Sequence, residues 1–260
     1  METRAIRKVN PVEHILCTDR LPTAWCSGCG IGTVVYSFLE ALGEAGLAQG
    51  RILLLTGSGC TGNVADYLRL RSRRAKRKYL VDEAADMQLG DPDHTYVVFM
   101  NNADLLISGA EDIARAIKRK ARMLIIHINN IIYIKRKDGP RANTPFTRRS
   151  RDGGYELPFN MPGLLISYGA NFVARWTPLQ AGWLRYSIGE AFLKNGVSYI
   201  EVVSPCLVYE ADLGIVGDAV KKIGLYDKRS VVNSGTSLDQ FDIRESGRIV
   251  IGNLFDGGAR

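Results

Sequence analysis

A chain of 260 residues with 46% hydrophobic and 23% charged residues can bury one sizeable α/β core, and this composition excludes a disordered chain. No apolar run approaches the roughly 20 residues that cross a bilayer, and no apolar signal core follows the charged start Met1–Lys8, so a cytoplasmic location without a membrane partner is expected. The net charge of +7 is concentrated in Arg69–Lys78, Lys118–Arg122 and Lys135–Arg151. These runs lack interleaved aromatics, which argues against nucleic acid and leaves a solvated basic face or a docking face for an acidic protein.

Residues 1–24 read as an irregular N-terminal arm. From Ile31 to Leu42 the apolar positions Val34, Val35, Phe38, Leu39 and Leu42 have helical spacing, and Gly43 and Gly46 supply a stop. Ile52–Leu55 is a short apolar strand running into the turn Thr56-Gly57-Ser58-Gly59-Cys60. Tyr96–Met100 predicts a strand, Gly109–Arg119 an amphipathic helix, and Met123–Ile128 a strand ending at Asn129-Asn130. Gly139–Gly154 reads as a loop. A later unit has strands at Asn171–Trp176 and Val197–Val203 around a helix at Leu179–Leu193, and stops at Ser204-Pro205-Cys206. Residues 211–260 read as a C-terminal arm with one further strand at Arg248–Ile251.

Uniformly apolar strands alternating with helices predict an α/β fold, a parallel sheet covered on both faces, over residues 25–210. Ligands of such sheets gather at the carboxyl ends of the strands. Cys60, Asn102, Asn130 and Cys206 all fall just past a predicted strand end, which places them on one rim.

Five cysteines in a chain without a signal peptide point to metal or redox use before disulfides. In Trp25-Cys26-Ser27-Gly28-Cys29-Gly30 two thiols lie three positions apart in a turn of small residues, where both sulfurs can face one metal or cluster. Such a pair alone is ambiguous between zinc, a redox dithiol and an iron–sulfur site. Cys60 is flanked by Gly57, Gly59 and Gly62, and Cys206 follows Pro205 at a strand end. Burial as small hydrophobes is the plainer reading of these two. Cys17 reads as a free thiol in the arm, and His127 as a hydrogen-bonded core or rim residue.

The string Trp25-Cys26-Ser27-Gly28-Cys29-Gly30-Ile31-Gly32, the turn Gly57-Ser58-Gly59-Cys60 thirty-one residues after Cys29, and Ser204-Pro205-Cys206 together resemble the β subunits of 2-oxoacid:ferredoxin oxidoreductases. Leu89-Gly90-Asp91-Pro92-Asp93, Pro158–Pro162 and Gly169–Arg175 extend the resemblance over roughly residues 20–210. It implies a thiamine-diphosphate-binding fold in which Cys26, Cys29, Cys60 and Cys206 hold a [4Fe–4S] cluster. In that family the thiamine cofactor decarboxylates a 2-oxoacid, the cluster passes electrons singly to ferredoxin or a ferredoxin-like subunit, and coenzyme A takes the acyl group. The resemblance also implies an α subunit, with γ or δ subunits in some assemblies, and a chain that is not active alone.

The family holds thiamine diphosphate through Mg²⁺, using the Asp of a Gly-Asp-Gly turn, a polar side chain after the next strand and a nearby carbonyl. The matching stretches here are Asn101-Asn102-Ala103-Asp104 and Asn129-Asn130-Ile131-Ile132, with Asn130 twenty-eight residues after Asn102. Asn102, Asp104, Asn130 and the Ile132 carbonyl are therefore the candidate thiamine diphosphate/Mg²⁺ ligands. Asn102 replaces the metal-binding Asp, and both motif glycines are gone. A His-Gly-Arg stretch is replaced by Arg77-Lys78-Tyr79, and a Thr-Gly-Gly-Gln-like segment by Arg136–Gly139. An alternative is thus a non-catalytic electron-transfer or scaffold paralogue that keeps the cluster without thiamine diphosphate.

Overall fold

The computed structural model describes residues 12–74, 79–108, 110–130, 160–206, 224, 226–233, 237–243 and 248–258. The readings made on Gly139–Gly154, Arg77-Lys78 and Arg136–Gly139 lie outside these residues.

The described strands are β1 Ile52–Thr56, β2 Arg71–Arg74, β3 Thr95–Asn101, β4 Met123–Asn129, β5 Phe172–Trp176, β6 Val197–Val203, β7 Ser230–Val232 and β8 Ile249–Asp256. They form one sheet in the order β2-β1-β3-β4-β6-β5-β8-β7. Every pairing is parallel except β5 with β8. The helices are α1 Ile31–Glu44, α2 Gly59–Gly62, α3 Leu80–Gly90, α4 Asn102–Ser108, α5 Ala110–Lys118, α6 Met161–Tyr168 and α7 Ala181–Phe192.

Helices cover both faces, and alternation along each strand sorts the core into two layers. Ile52, Leu54, Val97, Phe99, Leu124 and Ile126 pack with α1 and α7. Their neighbours Leu53, Leu55, Val98, Ile125 and Tyr199 pack with α3, α5 and α6. Burial on both faces is the reason that β1, β3 and β4 read as unbroken apolar runs. The architecture is the expected α/β sheet with helices on both faces.

The structure adds elements that the apolar pattern does not reveal. Helix α6 has its start and stop written in local chemistry: Asn160 Oδ1 accepts from Gly163 N–H at 3.2 Å, Pro162 occupies the first turn, and Gly169 closes the helix with φ of 92°. Strand β2 lies inside the basic run, and all four of its residues are exposed at the sheet edge. Arginines there suit an edge, because charge discourages pairing with another chain. Arg73 pairs with Glu83 at 2.5 Å, and Arg74 pairs with Asp66. Strand β8 extends the strand expected at Arg248–Ile251 and packs antiparallel on β5. Among the described residues, no helix is long and apolar enough to cross a membrane.

Adjacent order and parallel direction put the carboxyl ends of β1, β3, β4 and β6 side by side. Cross-strand register does one thing more. Met100 pairs with His127, His127 with Glu201, and Glu201 with Arg175, so three ionisable side chains form a row across the neighbouring strands β4, β6 and β5 near that end.

Candidate functional site

Two constellations occupy the carboxyl rim. The first is built from the cysteines. Cys29 is half-buried and Cys60 exposed. Burial pushes the Cys29 thiol up, and negative charge on Cys26, Cys60 and Cys206 pushes it further. Cys60 is raised in the same way, by burial and then by Cys206 and Cys26. Four sulfurs drawn from three separate rim segments are therefore close enough to act on one another electrostatically.

Three hydrogen bonds lock those segments together. Trp25 Nε1 donates to the Cys60 carbonyl at 2.9 Å, tying the paired-cysteine turn to the turn after β1. The Trp25 ring packs on Tyr67 with centroids 4.8 Å apart, and the Tyr67 hydroxyl accepts from Ala24 N–H at 2.6 Å. Ser204 Oγ donates to the Cys29 carbonyl, tying the same turn to the end of β6. Gly30 is required there: its φ is +78°, and a Cβ would lie 2.2 Å from Pro178 and 2.8 Å from Ser204 Oγ. A pocket of ≈ 350 Å³ opens over the pair, lined by Cys26, Cys29, Pro178, Pro205 and Tyr226 among others, though not by Cys60 or Cys206. Among the described residues, no three His, Cys, Asp or Glu side chains are grouped so as to hold a single metal ion.

Asp104 belongs to this constellation. Its Oδ1 accepts from Ser58 N–H at 2.8 Å and from Ser58 Oγ at 2.7 Å, and its Oδ2 accepts from Asn101 N–H at 3.1 Å. Burial raises its carboxyl above the usual range, although the bonds from Ser58, Asn101 and Thr61 pull the other way. A Cβ on Gly57 would meet Asp104 Oδ2 at 2.0 Å. The residue placed beside a metal by sequence thus clasps the turn that presents Cys60.

The second constellation grows from the row of ionisable residues. Arg175 Nε donates to Glu201 Oε2 at 2.5 Å, and its Nη1 donates to the Phe241 carbonyl at 2.8 Å. Glu201 Oε1 accepts from Asn129 Nδ2 at 2.8 Å. Asn102 Nδ2 donates to Asn129 Oδ1 at 3.1 Å and to Asn130 Oδ1 at 2.9 Å. His127 Nε2 meets Asn102 Oδ1 at 2.8 Å, and its Nδ1 meets the Tyr199 hydroxyl at 2.6 Å. Burial lowers His127 to about 4, so it is neutral at neutral pH. Burial opposes ionisation of Glu201 most strongly, yet the Arg175 guanidinium, with further help from His127 and Asn129, holds its carboxyl below the usual range. Asn102 and Asn130 are brought together as expected, Asp104 turns away, and Ile132 lies outside the described residues.

The sequence reading met Arg175 only as the end of the stretch Gly169–Arg175 and Glu201 only as part of the strand Val197–Val203, and assigned neither to the site. Their signal was a charge inside each of two strands otherwise buried on both faces, and such charges require partners.

Residues 84–202 match the family model described as thiamine pyrophosphate enzyme, C-terminal TPP binding domain. The chain is 32% identical to the 2-oxoglutarate synthase subunit KorB of Archaeoglobus fulgidus over 198 residues, covering 75% of this chain and 74% of that protein. It is 29% identical to the subunit of the same name from Methanocaldococcus jannaschii, covering 95% of this chain and 93% of that protein. Among solved structures, a 2-oxoglutarate:ferredoxin oxidoreductase from Magnetococcus marinus with 2-oxoglutarate, coenzyme A and succinyl-CoA bound aligns with a TM-score of 0.75 at 19% identity, covering 99% of this chain and 88% of that chain. The sheet order and rim thus define a domain of the thiamine-diphosphate-binding class. Within that class, the chain belongs to the β-subunit family of 2-oxoacid:ferredoxin oxidoreductases.

Proposed function

We propose that this chain is the electron-relay β subunit of a 2-oxoacid:ferredoxin oxidoreductase assembly, with Cys26, Cys29, Cys60 and Cys206 holding a [4Fe–4S] cluster. The observation behind this reading is that hydrogen bonds from Trp25 and Ser204 join the three rim segments that carry these cysteines, with Cys29 and Cys60 both raised in part by the neighbouring thiols. Zinc held at about 2.3 Å by four sulfurs would pull them to within roughly 4 Å of one another. A cubane instead distributes its four thiolates over four irons. Such a cluster accepts and releases single electrons.

The protein's own part is to position the sulfurs and define the exit. Trp25 and Ser204 fix the relative placement of the cysteine turns, and Asp104 braces the one bearing Cys60. Arg74 Nε donates to the Gly62 carbonyl at 3.1 Å, two residues from Cys60, so the arginine-rich edge strand adjoins the cluster rim. That basic edge suits an acidic carrier such as ferredoxin, because opposite charge accelerates encounter. The remaining subunits supply the 2-oxoacid and coenzyme A contacts.

Protein purified without oxygen is expected to be brown with about four irons per chain. C60S and C206S are each expected to lose most of that iron, while C17S keeps it. Colourless protein with one zinc per chain would overturn the reading.

A further inference from the structure

The crest between β3 and β4 is where the family motif places a divalent cation, so the direction in which each amide points there decides what it can bind. That direction is fixed from a distance by a relay of hydrogen bonds. Glu201, ionised against Arg175, is an acceptor only, so Asn129 must turn its Nδ2 toward it, as it does at 2.8 Å. Asn129 therefore presents Oδ1 to Asn102, and Asn102 must answer with Nδ2, at 3.1 Å. The same Nδ2 reaches Asn130 Oδ1 at 2.9 Å. With its amide so turned, Asn102 aims Oδ1 at His127 Nε2, which donates to it at 2.8 Å, while His127 Nδ1 accepts from the Tyr199 hydroxyl at 2.6 Å. Asn102 and His127 are almost wholly buried, with relative exposures of 3% and 0%, so water does not offer alternative partners.

The described residues at this crest do not fit a hard divalent cation. Mg²⁺ demands oxygen ligands, and usually one or two carboxylates. Here the crest offers Asn130 Oδ1 already engaged by an N–H, and an Asn102 that presents amide hydrogens. The nearest carboxylate in the motif, Asp104, has both oxygens on the Ser58–Thr61 turn and on Asn101. We infer that this chain has exchanged a cation clasp for an amide clasp, Asn102 to Asn130, and binds no divalent cation at this crest. A diphosphate brought to this crest is accordingly not held through a bridging metal. The inference does not rest on the cluster, because no cysteine takes part in the relay from Glu201 through Asn129 and Asn102 to His127.

The test titrates the full-length chain with thiamine diphosphate in the presence of Mg²⁺ or of EDTA, following tryptophan fluorescence and heat, and with Mn²⁺ alone by electron paramagnetic resonance. Wild-type protein is expected to show no bound Mn²⁺ and no tightening by Mg²⁺. The variant N102D faces the oxygens of Asn129 and Asn130 with a carboxylate and should gain Mn²⁺ binding, by about ten-fold or more over wild type. A ten-fold Mg²⁺-dependent tightening in wild type, or a folded N102D that gains nothing, overturns the inference. Should N102D not fold, the wild-type comparison alone decides: equal behaviour with Mg²⁺ and EDTA upholds it, and Mg²⁺ dependence rejects it. Iron content, measured on the same samples, reports on the cluster separately.

Discussion

Replacing Arg175 with Met isolates the pair that orients the whole amide relay. Met retains most of the side-chain volume but removes the charge opposite Glu201 and the donors to the Phe241 and Val250 carbonyls. Arg175 and Glu201 are both 2% exposed. Removing one member of a buried pair leaves an uncompensated charge, which costs about 3–5 kcal/mol, and in a chain of this size that lowers the midpoint of thermal unfolding by roughly 6–20 °C. The effect should depend on pH in a defined sense. Glu201 ionises below the usual glutamate range in the native protein, so the stability it contributes is complete above the unfolded value and disappears as pH falls through the folded one. Without Arg175 that carboxyl rises and takes a proton, so the gap between R175M and wild type narrows on acidification. Urea unfolding at pH 7.5 and pH 4.5 measures both quantities, and R175M/E201Q should recover much of the loss because no unpaired charge remains. A cost below about 1 kcal/mol at pH 7.5, the level of a surface pair, would refute the reasoning.

His127 makes a second acid-sensitive contribution: its pKa falls from 6.5 unfolded to about 4 folded, so stability is complete above pH 6.5 and is lost as pH drops toward 4. The loss is about 3 kcal/mol from that difference, and in H127Q the pH dependence of unfolding between those limits should flatten. D104A strips the acceptor from Ser58 N–H, Ser58 Oγ and Asn101 N–H; urea denaturation should show a cost of about 2–3 kcal/mol. D104N keeps one acceptor oxygen and should cost less.

The central strands and the helices α1, α5 and α7 were readable because burial on two faces or one leaves a plain apolar period. Elements resting on other physics were not. Strand β2 is charged because it is an edge, and α6 announces itself by Asn160 and Gly169 instead of by an apolar stripe. In the site, the cysteine motifs sit in short contiguous turns, where spacing left their chemistry open and the family resemblance picked out the four together. The relay from Arg175 to Asn102 depends on cross-strand register, and register is invisible in a linear reading. Asp104 shows the same limit in small: two positions along a helical turn sent its carboxylate to Ser58 instead of to the crest beside Asn102.

The antiparallel seating of β8 on β5 has a consequence for biosynthesis. Strand β5 has β6 on one side and β8 on the other, yet β8 is made well after both. Until the ribosome has delivered it, a strand that ends up wholly buried offers a bare row of amides and carbonyls to any neighbouring chain. Arg175 meanwhile awaits the carbonyls of Phe241 and Val250. The nascent polypeptide therefore passes through a stage in which its sheet is wide open on one flank, and a chaperone or an early-arriving sister subunit would find its point of purchase there.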